Sequence, residues 1–245
     1  MTAVFDKDPL RIGVSYFHYD VEKYPFAQLV EDLFGCELTE LHTLRSRHSS
    51  DLHTNDNDDQ TFYHQKFYKR LDEGWPEFTE AYDNFIRDIV CPLFGVEEII
   101  AQQGPSFRVQ LPNNIAVGGN EGDTAEHYGW HRDSDVNYNH PKSERNFLVP
   151  LTAAGDNASV WIEHYEGSDT FSPARMRVGE FFRFNGATCK HGNKPNTTGK
   201  TRVSFDFRVV LPHEYDPAFE NKSKSGKQRF VVGGYYKELK RSKHD

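Results

Sequence analysis

A chain of 245 residues with 36% hydrophobic and 14% aromatic residues suits one large globular domain whose core is built on big rings, and it excludes a disordered protein. The formal charge of -8 excludes a general nucleic-acid binder, which needs a concentrated basic surface. Cys36, Cys91 and Cys189 form neither a disulfide framework nor a Cys-x-x-Cys zinc pattern, and no signal peptide or apolar run of ~18 residues is present, so a soluble, cytoplasmic protein is expected.

The first hundred residues read as a mainly helical support. Pro25 suits a first helical turn and Gly35 a stop, which predicts a helix over 24–34 with Phe26, Leu29, Val30 and Leu33 as its buried stripe. The polar stretch 48–60 reads as an exposed loop. Phe78, Tyr82, Phe85, Ile86 and Ile89 recur at three- and four-residue intervals and predict a second helix over 76–90, ended by Cys91-Pro92.

From Ser106 the period changes to two. A strand over 106–111 sets Ser106, Arg108 and Gln110 against Phe107, Val109 and Leu111, and one over 158–164 sets Ser159, Trp161 and Glu163 against Val160, Ile162 and His164. A strand over 202–209 sets Arg202, Ser204, Asp206 and Arg208 against Val203, Phe205, Phe207 and Val209. Further strands are expected over 146–152 and 179–185. Four polar side chains on one face of one strand need water, ligands or each other. A jelly-roll barrel satisfies them by lining a ligand cavity while the apolar face packs under helices. The expectation is therefore a single domain over 1–245: a helical segment over 1–100, a jelly-roll core over 106–210 and an irregular C-terminal extension over 211–245. The basic residues Lys222, Lys224, Lys227, Arg229, Lys237, Lys240, Arg241 and Lys243 of that extension read as a solvated face.

The chemistry centres on His131-Arg132-Asp133 and the distant His191. Two imidazoles and one carboxylate form the facial set that binds Fe(II) and leaves coordination positions open. Residues two apart on a strand lie ~6.6 Å apart, so Asp133 should sit where the chain bends, and Ser134-Asp135 supplies a turn. His-x-Asp alone is a weak signal. It gains specificity from Arg202, eleven positions after His191, because a guanidinium takes a carboxylate with two prongs and Ser204 on the same face adds a hydroxyl. Arg208 is a rival for the anion, and Asn146 can serve a carboxylate, the metal surroundings or its own backbone. Arg108, Gln110, Trp161, Glu163 and Asn185 are substrate-contact candidates by inward direction alone. His127 shares the expected face of His131, and Cys189 that of His191, where a small buried thiol is the plainer reading.

In order, His131, Asp133, His191, Arg202 and Ser204 resemble the Fe(II)/2-oxoglutarate-dependent dioxygenases. The strings Gly129-Trp130-His131-Arg132-Asp133-Ser134-Asp135, Asn146-Phe147-Leu148-Val149-Pro150-Leu151-Thr152, Arg183-Phe184-Asn185-Gly186 and Thr201-Arg202-Val203-Ser204-Phe205-Asp206-Phe207-Arg208 are similar to the branch named after StrG of streptomycin biosynthesis. The resemblance covers about 106–210 and implies a mainly β, cupin-like double-stranded β-helix with supporting helices. It implies Fe(II), 2-oxoglutarate and O2 as cofactor and co-substrates, and iron held by His131, Asp133 and His191. Arg202 and Ser204, with Asn146 as a further candidate, would hold 2-oxoglutarate. The implied reaction is oxidation, foremost hydroxylation, of a C–H bond in a small polar molecule such as an aminocyclitol, sugar or amino-acid derivative of antibiotic metabolism. From the residues alone, a zinc-dependent hydrolase and a non-catalytic cupin-like binding domain remain open. No nucleic-acid or membrane partner is expected, and the oligomeric state is not legible.

Overall fold

The computed structural model describes residues 15–44, 61–116, 129–223, 226 and 228–241. Helix α1, Phe26–Phe34, buries Phe26, Val30 and Phe34, while Leu29 and Leu33 pack at its margin. It stops at Gly35, whose φ of 74° is open to glycine at little cost and whose N–H returns to Glu31 O. Helix α2, Phe62–Asp72, has no counterpart in the sequence reading, because its buried positions are filled by Tyr63, His64 and Phe67 rather than aliphatics. Helix α3, Pro76–Phe85, does not end at Cys91-Pro92 as expected. It runs through a π-turn, Ile86–Val90, into the short α4, Cys91–Phe94, and stops at Gly95. The widened turn, in which Cys91 N–H reaches Ile86 O, carries the helix past a proline that a regular turn would reject. The stretch 48–60 lies outside the described residues.

The strands form two antiparallel sheets. In the larger, β1 (Ser15–His18), β7 (Glu180–Phe184), β4 (Arg145–Pro150) and β9 (Arg202–Val210) lie side by side. The far edge of β9 pairs with β3 (Ser106–Gln110) and, near its end, with β2 (Glu98–Gln102), which carries β10 (Tyr236–Lys240). The smaller sheet is β6 (Phe171–Pro173), β5 (Val160–Glu163) and β8 (His191–Asn193). The helical segment thus also contributes β1 and β2, and the extension read as irregular contributes β10.

The alternation along β9 fixes the layers. Val203, Phe205, Phe207 and Val209 are buried under the helices, where Phe205 meets Phe26 edge-on at 5.0 Å and Phe67 stacks on Phe107 at 4.2 Å. Each such ring contributes about 1.5–3 kcal/mol by leaving water. The opposite face, Arg202, Ser204, Asp206 and Arg208, is equally buried but points between the sheets. Of the C-terminal basic residues, Lys222 and Arg229 are exposed, Lys224, Lys227 and Lys243 lie outside the described residues, and three form ion pairs. Lys237 pairs with Asp83, Lys240 with Glu98 and Arg241 with Glu97. Among the described residues no helix is long and apolar enough to cross a membrane.

Candidate metal centre

His131 and His191 exchange both backbone hydrogen bonds in an isolated antiparallel bridge that extends the smaller sheet beside β8. Two residues on, the chain bends. Asp133 donates its N–H to Gly186 O at 2.9 Å, and Arg132 N–H is taken by Asp135 Oδ2 at 2.8 Å, so Ser134-Asp135 close the turn that the short spacing requires. Three donor atoms from His131, Asp133 and His191 thereby come within 4.8 Å of one another.

Each ring is oriented from behind. His131 Nδ1 lies 2.9 Å from Gly129 O and His191 Nδ1 3.1 Å from Cys189 O. A carbonyl only accepts, so each Nδ1 carries the proton and each Nε2 presents its lone pair. Those Nε2 atoms face Asp133 Oδ1 at 3.5 and 3.7 Å. Oδ2 is turned away and saturated by Asn146 Nδ2 at 2.6 Å, Arg208 Nη2 at 3.0 Å and Arg208 Nε at 3.1 Å. Burial alone would raise the Asp133 carboxyl, but Arg208, aided by His131 and His191, holds it well below the usual carboxylate range. Burial, with His131 alongside, pushes His191 down to about 4. The set is therefore one carboxylate and two imidazole nitrogens converging on a point, which is the donor chemistry a divalent transition metal takes.

Two consequences are measurable. In the metal-free protein His191 titrates near 4 when folded and near 6.5 when unfolded. Between these values the unfolded chain binds the extra proton, so stability should rise with pH over that window and be lost on acidification through it. Denaturant melts at stepped pH check this, and His191→Gln should flatten the slope. The second concerns packing. A Cβ on Gly192 would lie 2.3 Å from Trp130 Cδ1, so Gly192→Ala should cost about 1–3 kcal/mol and displace the residue preceding His131. Thermal melts with metal titration of the variant test it.

The strand face of β9 supplies a second feature. Arg202 is 2% exposed; its Nη1 donates to Ser204 Oγ at 2.6 Å and its Nε to Gln110 Oε1 at 3.3 Å, while Nη2 is buried with no partner among the described residues. Burial, with Arg108 alongside, lowers its pKa to about 10. A buried cation with an orphaned donor and no carboxylate of its own is a seat for an anion. It lines the same cavity as His131 and His191, with Arg108, Asp206, Arg208, Leu148, Val160 and Phe184. Arg208, the expected rival, is not free for that role, since its remaining Nη1 is given to Asp206 at 2.6 Å.

The expected substrate contacts divide. Arg108 does line the cavity, paired to Asp206 at 2.8 Å. Gln110 does not: its amide is spent on the carbonyls of Asn114, Asn157 and Lys194, and it steadies Arg202. Trp161 and Glu163 are on the far face of β5, because Val160 and Ile162 take the inner one. Trp161 packs under Lys194, 3.7 Å above its ring, and Glu163 accepts Lys190 N–H at 2.8 Å and pairs with Arg132 at 3.4 Å. Those bonds tie down the neighbours of both histidines. Asn185 is exposed in a different cleft, holding Thr188 Oγ1 at 2.9 Å. Asn146 is placed on Asp133 rather than on an anion seat. Cys189 is a buried thiol that burial pushes up, so it offers no thiolate. His127 lies outside the described residues. Sequence reasoning missed Arg208 as the partner of Asp133, and Tyr138, stacked 4.1 Å from the His131 ring. The former was signalled by its place on the polar face of β9; nothing in the sequence marked the latter.

No family model matches the chain. It is 36% identical over 220 residues to the streptomycin biosynthesis protein StrG of Streptomyces griseus, covering 89% of this chain and 94% of that protein. The crystal structure of SnoK, a non-haem alpha-ketoglutarate-dependent carbocyclase of nogalamycin biosynthesis, superposes with a TM-score of 0.50 at 13% identity over 86% of each chain, which is a likeness of fold.

Proposed function

Because the chain belongs to the family of StrG, we propose that it is a 2-oxoglutarate-dependent non-haem iron oxygenase acting on a small polar molecule of secondary metabolism. The observation that carries the reading is the buried Arg202, with an orphaned Nη2, in one cavity with a His-Asp-His set. A zinc hydrolase or a passive jelly-roll would leave that unpaired cation without a task.

On this reading His131, Asp133 and His191 hold Fe(II), and Arg202 with Ser204 takes the distal carboxylate of 2-oxoglutarate. When bound, iron with 2-oxoglutarate and O2 supplies an oxidant able to take hydrogen from a C–H bond, with succinate as co-product. The protein's own contribution is positional. Gly129 O and Cys189 O fix both imidazoles in one tautomer, and Arg208 with Asn146 limits Asp133 to a single inward oxygen. Leu148, Val160 and Phe184 give the cavity an apolar lining against which the substrate's C–H would lie. Arg108, at the partly exposed end of the Arg108–Asp206 pair, is the residue placed to meet polar groups of the substrate. Hydroxylation is the expected outcome.

Incubation of the protein with Fe(II), 2-oxoglutarate and a panel of aminocyclitols, sugars and amino acids tests this reading. A panel member that stimulates succinate release and gains one oxygen supports it. Failure of every member to stimulate turnover, with basal succinate still formed, would remove the substrate class and leave the cofactor chemistry.

A further inference from the structure

A second cleft lies apart from the one that holds the histidines. It lies where β7 and the segment before β4 meet α4, encloses about 420 Å³, and shares only Phe184 with the metal cavity. Its charges are unequally matched. Arg145 is neutralised by Glu214, with Nη2 to Oε1 at 2.8 Å. Glu144 is buried and fully engaged, accepting from the Tyr236 hydroxyl and lying 2.8 Å from His140 Nδ1. That leaves Arg183 and Lys142, neither of which has a carboxylate or a side-chain hydrogen-bond partner among the described residues.

Arg183 is the informative one. It is half-buried, its guanidinium sits 5.7 Å over the Phe94 ring, and burial together with the adjacent Arg145 holds its pKa below the usual arginine value. The two acids of the cleft are engaged elsewhere, Glu214 by Arg145 and Glu144 by Tyr236 and His140, and no described acid pairs with Arg183. Contact with the aromatic face fixes the guanidinium plane and leaves its N–H edge for a ligand. Ser143 and Asn185 add a hydroxyl and an amide to the same lining. The volume falls in the range of about 300–1,000 Å³ typical of small-molecule sites and exceeds the needs of a bare oxyanion.

We propose that this cleft binds the phosphate monoester of a small polar molecule, with the phosphate seated by Arg183 and Lys142 and the organic body lying along Phe94. A monoester carries a charge of about -1.5 to -2, which matches two cations that have no acid partner among the described residues. The inference does not depend on the metal centre, which is a separate cavity with its own anion seat at Arg202.

The test is isothermal titration of the metal-free protein with glucose 6-phosphate, inorganic phosphate and glucose, using wild type, Arg183→Gln, Lys142→Gln and Arg202→Met. The expected result is binding of glucose 6-phosphate, weaker binding of inorganic phosphate and none of glucose. Arg183→Gln should weaken both phosphates at least about tenfold, the loss expected of one charge-assisted contact, while Arg202→Met leaves them unchanged. Lys142→Gln alters an exposed side chain, cannot act through misfolding, and should also weaken binding. 2-Oxoglutarate binding with Co(II) present should be unaffected in the Arg183 and Lys142 variants. Absence of phosphate binding at millimolar concentration, binding by Arg183→Gln and Lys142→Gln as tight as wild type, or loss confined to Arg202→Met would each overturn the proposal.

Discussion

Asp133→Ala is expected to abolish Fe(II)-dependent turnover of 2-oxoglutarate and also to lower the stability of the fold by about 3–5 kcal/mol. The second effect follows from the partner rather than from the metal. Arg208 directs Nε and Nη2 at Asp133 Oδ2 from a position about as buried as the carboxylate itself, and Asp206 takes only its Nη1. Removing Asp133 leaves most of a buried guanidinium uncompensated. His131→Ala should abolish turnover with a smaller loss of stability, because its removal orphans only one carbonyl, that of Gly129 bonded to Nδ1. Adding Arg208→Met to Asp133→Ala should recover much of the stability and none of the activity. Urea melts of the four proteins, beside metal titrations, check the set; equal stability of Asp133→Ala and His131→Ala would break the argument.

Arg202→Met carries the other large effect, and its two parts have opposite sign. The 2-oxoglutarate requirement should rise by about 10- to 150-fold, the equivalent of a charge-assisted contact worth about 1.5–3 kcal/mol. Without 2-oxoglutarate, the variant should be at least as stable as wild type, since a 2% exposed cation with an orphaned Nη2 is a burden on the empty fold. Kinetics against 2-oxoglutarate and melts of the ligand-free proteins measure the two parts. A variant that lost stability while keeping its 2-oxoglutarate requirement would show that Arg202 is structural.

The sequence was most legible where chemistry and period coincide. Arg202, Ser204, Asp206 and Arg208 alternate with Val203, Phe205, Phe207 and Val209, an alternation that an ordinary sheet would turn to solvent and a jelly-roll turns into its cavity. That one strand predicts both the cavity and the helix-covered face. His131-x-Asp133 was legible because the spacing demands a bend and a turn follows it. The role of Arg208 was harder to read, since two arginines on one face look alike until one is seen to have a carboxylate. On β5 the alternation was correct but its direction was inverted. Glu163 reads as a cavity residue by polarity, yet it is buried on the other face by backbone donors from Lys190 and Asp169. Gln110 misled for a related reason: its amide closes three loop carbonyls whose approach is a tertiary event. Helix α2 escaped because tyrosine and histidine occupy its buried positions, and the π-turn because a proline normally ends a helix.

On the proposed function, His131, Asp133 and His191 hold iron and Arg202 completes a 2-oxoglutarate site beside it. The most direct test is an anaerobic titration of the metal-free protein with Fe(II) and then 2-oxoglutarate, followed in the visible spectrum. A weak charge-transfer band that needs both components, bleaches on admission of O2 as succinate forms, and is absent in His131→Ala is the predicted result. No band, together with tightly retained zinc and no succinate, would contradict it.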